Sequence, residues 1–146
     1  IFLEVDMEKH ELGMKLINVI KKEKTPIQQV KELGEGENGI LRTLYLYEEE
    51  LKKDVTPGDL CNLQNLTSGR IASTLKSLER KKYIQRITDC NDHRRILVQL
   101  TEKGKTNAQK IIQKMYHNIQ YIIDKLGEKD FAELIRLLNL VNNSDV

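Results

Sequence analysis

Residues Leu66–Thr101 read LTSGRIASTLKSLERKKYIQRITDCNDHRRILVQLT, and the period of the apolar residues changes once along this stretch, near Lys82. Before that point the spacing is helical. At about 100° per residue, Ile71, Leu75 and Leu78 share one stripe with Thr74 at its border, while Gly69, Arg70, Ser73, Lys76, Ser77 and Arg80 fall on the opposite side. The apolar stripe predicts a buried face. From Tyr83 the pattern alternates through Thr88, is interrupted by the polar run DCNDHRR, and resumes from Ile96 to Leu100. Two short alternating runs around a polar cluster predict a hairpin with a charged tip.

Upstream, Thr56, Pro57 and Asp59 form a capped helix start, with Asp59 placed at the third helical position and Leu60 and Leu63 supplying an apolar side that ends near Gln64. After an NLTS turn, Thr67 is the expected cap of the next helix. Two short helices joined by a few residues make the helix-turn-helix pattern. A helix from about Asn38 to Lys53, marked by Ile40, Leu41, Leu44, Tyr47 and Leu51, is expected to complete a three-helix unit. The exposed side of the Thr67–Lys82 helix is short, hydroxylated or cationic, so it can approach a phosphate-lined groove without bulky side chains holding it off. Helix, strand, basic tip and strand then read as a recognition helix with a wing.

The two ends of the chain carry long amphipathic patterns. From Val5 to Lys24, Leu12, Leu16, Val19 and Ile20 keep helical spacing, with Lys21, Lys22 and Lys24 near the end, where cations suit the dipole. Thr25 and Pro26 open a second short piece with Ile27, Val30 and Leu33, stopped by Gly34, and GEGENG at 34–39 is a break. Beyond the wing, Thr101 caps a helix in which Ala108, Ile112, Met115, Ile119, Ile122 and Leu126 recur at three- and four-residue steps, widened by Ile111 and Ile123. Gly127 breaks it, and Phe131, Leu134, Leu138 and Val141 continue to about Asn142. These helices hold more apolar surface than one small winged unit covers. At roughly 25 cal/mol per Å² of burial, pairing with a second copy is the expected outcome, and packing on the winged unit of the same chain is the alternative.

The fold class is therefore mainly α with a small β wing. A single domain over 1–146 comprises a winged helix-turn-helix unit over 38–100 and N- and C-terminal dimerisation helices over 5–34 and 102–142. A chain of 146 residues, 39% hydrophobic and 32% charged, with no Trp and two Pro, suits a helix-rich soluble protein with one core. No apolar run approaches the roughly 18 residues of a membrane span, and the N-terminus lacks the charged-then-apolar signal pattern, so no membrane association and a cytoplasmic location are expected. Cys61 and Cys90 form no CxxC, and His10, His93 and His117 are scattered. Neither a metal, a disulfide framework nor a cofactor is expected. No nucleophile elbow or phosphate-cradling loop appears, which argues against an enzyme.

The net charge of +2 conceals an asymmetry. Between Thr67 and Lys105 ten Lys or Arg face four acids, a net of +6, while the remainder is −4. A basic segment on a mildly acidic body is the pattern expected where one face meets a polyanion, an ordinary solvated face being the bland alternative.

From Thr56 to Lys105 the chain resembles the MarR family of bacterial transcriptional regulators. The matching text is TPGDLCNLQNLTSGRIASTLKSLERKKYIQR followed by DCNDHRRILVQLTEKG, with Asp89, Asp92 and Arg94 in the wing. The resemblance implies a homodimeric winged-helix repressor, in some members an activator, whose terminal helices form the dimer interface. Many members respond to small phenolic or other amphipathic ligands, or to oxidants. Carried over residue by residue, it implies that Ser68, Gly69, Arg70 and Ser73 enter the major groove and Arg94 the adjacent minor groove. Ser77 and Arg95 complete the candidate DNA-binding set, and Asp92 is the expected wing support, holding the Arg94 guanidinium by a charge-assisted bond.

This chain departs from the family at several points. Ala72 and Ser73 stand where Thr and Arg are frequent, which shifts base contact toward Arg70. Lys82 takes the place of a Gly that ends the recognition helix, and a left-handed conformation there costs about 1 to 2 kcal/mol. Cys90 and His93 stand where Pro and Arg are common. Cys90, near Arg94 and Arg95, has the surroundings of a thiolate sensor but no nameable resolving cysteine, and Cys61 reads as a small core residue. Tyr45, Tyr47, Tyr116 and Tyr121 lie on helices that flank the family's ligand crevice, with core or surface packing as the ordinary alternative. The expected function is a DNA-binding transcriptional regulator, a ligand-responsive repressor on a pseudo-palindromic operator in double-stranded DNA, with a small amphipathic or aromatic ligand. The alternative is a winged-helix protein interaction module without specific DNA binding.

Overall fold

The computed structural model describes residues 6–143. Seven α-helices run in the order α1 (Met7–Ile20), α2 (Pro26–Gly34), α3 (Gly36–Tyr45), α4 (Pro57–Gln64), α5 (Ser68–Arg80), α6 (Glu102–Leu126) and α7 (Glu128–Asn142). A two-stranded antiparallel sheet, β1 (Ile84–Thr88) and β2 (Ile96–Leu100), lies between α5 and α6. Its register pairs Ile84 with Leu100 and Thr88 with Ile96. The mainly helical fold with a small wing is the one expected.

The core lies inside the winged unit. Ile40, Leu41 and Leu44 of α3, Leu60 of α4, and Ile71, Leu75 and Leu78 of α5 are fully buried. They are joined by Ile84, Val98 and Leu100 of the wing and by Ala108 and Ile111 of α6, so the predicted stripe of α5 is buried as read. Val55 is also buried, and its carbonyl accepts a 2.8 Å bond from the Val98 N–H, tying the segment before α4 to the outer edge of β2. Leu63 is not part of this core. It is 43% exposed, because two-turn α4 turns Leu60 inward and leaves Leu63 at the rim.

Local caps set most boundaries. Thr56 and Asp59 form a reciprocal capping box at α4, and Thr25, Thr67 and Thr101 each accept from the backbone N–H three residues on. Asn65 ends α4 in the left-handed region, φ +51°. Lys82 ends α5 at φ +63°, the strained conformation expected of a non-glycine residue at this point. Gly127 breaks α6 from α7 at φ +82°.

Several boundaries differ from expectation. The Val5 start of the first helix lies outside the described residues. The helix stops at Ile20, so Lys21, Lys22 and Lys24 lie beyond its last turn. Thr25 must be extended to precede Pro26 and cap α2, which prevents the helix from running through. GEGENG is a break only at Glu35 and Gly36: Gly36, at φ +58°, already starts α3. The far end of α3 passes into a π-helical segment, Leu46–Glu50, and stops before Lys52, which has φ +51°. In β2, Leu97 and Val98 are both buried, so the strand lacks clean alternation.

The terminal helices divide unevenly. In α6 Ala108 of the expected seam and the adjoining Ile111 lie in the core, Ile112, Met115, Ile119 and Ile122 are half-buried, and Leu126 is exposed. By contrast, α1 buries none of its residues: Leu16 is 59% and Ile20 71% exposed. On α7, Phe131 and Leu134 are half-buried, while Leu138 and Val141 are exposed.

Candidate nucleic-acid interface

Helix α5 exists because Thr67 caps its first turn, accepting the Arg70 N–H at 3.3 Å, and because its apolar stripe inserts into the core. The opposite face is left open. Ser68, Gly69, Arg70, Ala72, Ser73 and Lys76 are all exposed. A Cβ added at Gly69 would meet nothing within 4 Å, so packing within this chain does not require glycine there. The Thr74 hydroxyl turns inward and donates to the Arg70 carbonyl at 2.8 Å. What α5 presents at its N-terminal half is thus a low, hydroxylated surface with one long cation, Arg70, beside the positive end of the helix dipole.

The wing tip is organised by two acids with different tasks. The Asp89 carboxylate, almost fully buried, accepts the Asn91 N–H at 2.9 Å and the Arg95 guanidinium at 3.3 Å. Asp92 accepts the backbone N–H of Arg94 at 3.0 Å, and its carbonyl accepts the Arg95 N–H at 2.9 Å. Asp92 therefore supports the wing, but by shaping the turn and not by holding the Arg94 guanidinium. A carboxylate two residues before an arginine satisfies the nearby N–H more readily than it reaches the distant side-chain head. The Arg94 side chain is exposed at the tip with no hydrogen-bond or ion-pair partner among the described residues.

A family profile described as winged helix DNA-binding domain matches residues 40–119, from the start of the core of α3 to the middle of α6. The chain belongs to this winged helix DNA-binding family. Along its length it is 21% identical, over 94% of this chain and 82% of the relative, to the HTH-type transcriptional repressor YetL of Bacillus subtilis. Among solved structures it is similar to Staphylococcus aureus MepR in its DNA complex, with 22% identity, TM-score 0.65, and 92% of this chain covered by 96% of that one. It is also similar to the heme sensor protein PefR bound to heme and carbon monoxide, with 17% identity, TM-score 0.67, and coverages of 90% and 91%. At these identities the structural likenesses establish the fold, and they agree with the MarR resemblance in the sequence.

Within this winged helix domain, Ser68, Gly69, Arg70 and Ser73 share the open face of α5, with Arg94 at the hairpin tip. Two further members of the expected contact set have partners within the chain. Ser77 is half-buried and donates its hydroxyl to Glu37 at 2.6 Å. Arg95 is the ion-pair partner of Asp89. Arg95 stays exposed while so paired.

The residues that fasten α5 to its surroundings were not singled out in the sequence. Glu37 of α3 pairs with Lys81 at 2.7 Å as well as with Ser77, and Glu79 of α5 pairs with Arg86 of β1. Lys103 donates to the Lys81 carbonyl at 3.0 Å and lies 4.8 Å from the centre of the Tyr83 ring. The available signal was the charge alternation between α5 and β1. It does not reveal which acid meets which base, because Glu37 and Lys81 are 44 residues apart.

A second feature lies away from this face. A cavity of about 360 Å³ between α6 and the end of α3 with its π-helical continuation is lined by Arg42, Tyr45, Leu46, Glu50, Ile112, Met115, Tyr116 and Ile119. The Arg42 Nε is buried with no hydrogen-bond partner among the described residues. Tyr45 and Tyr116 thus lie on this cavity, Tyr47 packs against the core, and Tyr121 stands exposed under Lys125. Cys61 packs at the edge of the core and Cys90 is exposed at the wing. Among the described residues no group of three or more His, Cys, Asp or Glu could hold a metal, and no helix is long and apolar enough to cross a membrane.

Proposed function

We propose that this chain acts as a homodimeric, ligand-responsive transcriptional repressor that binds a pseudo-palindromic operator in double-stranded DNA. The observation that carries the reading is the pairing of an unobstructed, hydroxylated and cationic α5 face with an arginine at the wing tip whose side chain has no partner among the described residues. Arg70 and Ser73 would read or position bases in the major groove and Arg94 would enter the neighbouring minor groove, with half-sites about one helical turn apart. The exposed apolar faces of α1 and α7 favour a second copy as their cover, since surface of this kind is costly to leave wet.

The α3–α6 cavity suits a small amphipathic or aromatic ligand: it has aliphatic walls, two tyrosines, and polar groups of both signs in Arg42 and Glu50. YetL is named a repressor and PefR a heme sensor, and a regulator answering to a small molecule fits both. The protein has no catalytic role in this reading.

The test is binding to duplex DNA across a salt titration, followed by selection of bound fragments from random or genomic DNA. Several phosphate contacts predict a steep loss of affinity as salt rises. No duplex binding at low salt would instead favour a winged-helix interaction module, for which the short side chains of Ala72 and Ser73 are the supporting feature.

A further inference from the structure

Glu37 is the second residue of α3, and both of its carboxylate oxygens are engaged by the recognition helix. Oε1 accepts the Ser77 hydroxyl at 2.6 Å and Oε2 accepts the Lys81 ammonium at 2.7 Å. Burial pushes this carboxyl up, but the hydrogen bonds from Lys81 and Ser77, with the charges of Lys81 and Arg80, outweigh it and hold the group below its usual range. It is an anion at neutral pH. Its backbone is not free to follow Lys81 elsewhere, because α3 is fixed from the next turn onward by Ile40, Leu41 and Leu44 in the core. The groove beside it, about 720 Å³ between the α2–α3 junction and α5, carries Glu32 and Glu35 opposite Arg70 and Ser73. One flank of the basic helix is therefore acidic.

Sequence-independent binding to DNA grows with the number of phosphates that cations neutralise. A lysine already paired with a fixed carboxylate must give up that pair to reach a phosphate. We infer that Glu37 is a specificity-determining residue of the DNA interface: it holds Lys81 and the Ser77 hydroxyl against α3, so that neither joins the backbone contacts. Binding then depends on Arg70, Ser73 and the wing, whose positions are set by the groove. This rests on the DNA-binding reading above and adds a restraint to it.

The experiment measures affinity for a labelled duplex of random sequence, as a function of salt, for the full chain and for Glu37→Gln, Lys81→Ala and the double variant. Glutamine keeps the shape and can still accept from Ser77, but carries no charge. Glu37→Gln is expected to steepen the slope of log affinity against log salt by about 0.9, one phosphate's worth, an additional loss of about threefold between about 50 and 200 mM salt. Lys81→Ala alone is expected to leave the slope at the wild-type value, and in that background Glu37→Gln no longer changes it. An unchanged slope in Glu37→Gln, with at most a shift in melting temperature, would reduce Glu37 to a structural contact and overturn the inference. So would a slope that falls in Lys81→Ala, because Lys81 would then already touch phosphate, or a steeper Glu37→Gln slope that persists without Lys81. Failure of the unmodified chain to bind duplex DNA at low salt is a separate result, and it overturns the DNA-binding reading and this inference together.

Discussion

Asp89 and Arg95 close the wing from the two strand ends. The Arg95 guanidinium donates to Asp89 Oδ2 at 3.3 Å while the Asp89 N–H donates to the Arg95 carbonyl at 2.9 Å. Side-chain and backbone bonds between one pair of residues fix the hairpin just beyond the Thr88–Ile96 pair, and this leaves Arg94 projecting from a rigid base. Asp89→Ala removes the ion pair and the bond to the Asn91 N–H, and is expected to cost about 1 to 3 kcal/mol of stability in chemical denaturation, as well as DNA affinity.

Arg94→Ala separates the tip from its support. Its side chain has no partner within the described residues, so the melting temperature should stay unchanged while DNA affinity falls substantially. Fluorescence anisotropy with a bound fragment, beside a thermal melt, checks both halves. Equal affinity would remove the wing from the contact.

Lys82 sits at φ +63° after the last turn of α5, where a side chain is strained. Lys82→Gly should stabilise the fold by about 1 kcal/mol, since the bonds its backbone makes, to Glu79 and Thr101, do not depend on the side chain. Urea denaturation at fixed protein concentration measures this, and a loss of stability would show that the lysine side chain has an unrecognised role.

Leu16→Asp tests the cover of α1. No residue of that helix is buried within the chain, so a charge there leaves the core of the winged unit intact. The expected outcome is a monomeric mass by light scattering with helical circular dichroism retained. A dimer of unchanged affinity would place the interface elsewhere.

Glu48 gives a pH prediction. Burial raises its carboxyl above the usual range, against the opposing effects of the Leu100 N–H bond at 2.8 Å and the charge of Lys105. For an acid raised on folding, the penalty is absent below its unfolded value, about 4.3, and fully present above its folded value. Glu48→Gln keeps an acceptor for Leu100 and is therefore expected to melt higher than the parent at pH 8. That advantage should shrink as pH falls toward the usual carboxylate range. A constant difference across pH would contradict the burial effect.

Much of the winged unit was legible along the chain because its determinants are local. Thr56 with Asp59, Thr67 and Thr101 act within one turn, and the stripe of Ile71, Leu75 and Leu78 follows from the helical period alone. The strain at Lys82 was implied by the family resemblance, in which a Gly ends this helix, and the backbone there is left-handed. The end of α1 is not legible from its lysines: the chain leaves the helix after Ile20, and the left-handed Lys24 and extended Thr25 turn it into α2. The cover of the α6 seam is not legible for a different reason. Three-four spacing says that a helix has an apolar face, not which surface covers it, and Ile112, Met115 and Ile119 are half-covered by their own chain.

By itself the sequence determined the order of elements, the helix caps, the buried side of α5, and the position of Arg94 at a hairpin tip, because periodicity and capping are properties of neighbours in the chain. Only the tertiary structure decided that Arg95 belongs to Asp89, that Asp92 binds a backbone N–H and not the Arg94 guanidinium, and that Glu37 claims Ser77 and Lys81. Each acid had several bases within conceivable reach. Which pair forms depends on strand register and on how α3 lies against α5, and those distances exist only once the core has closed.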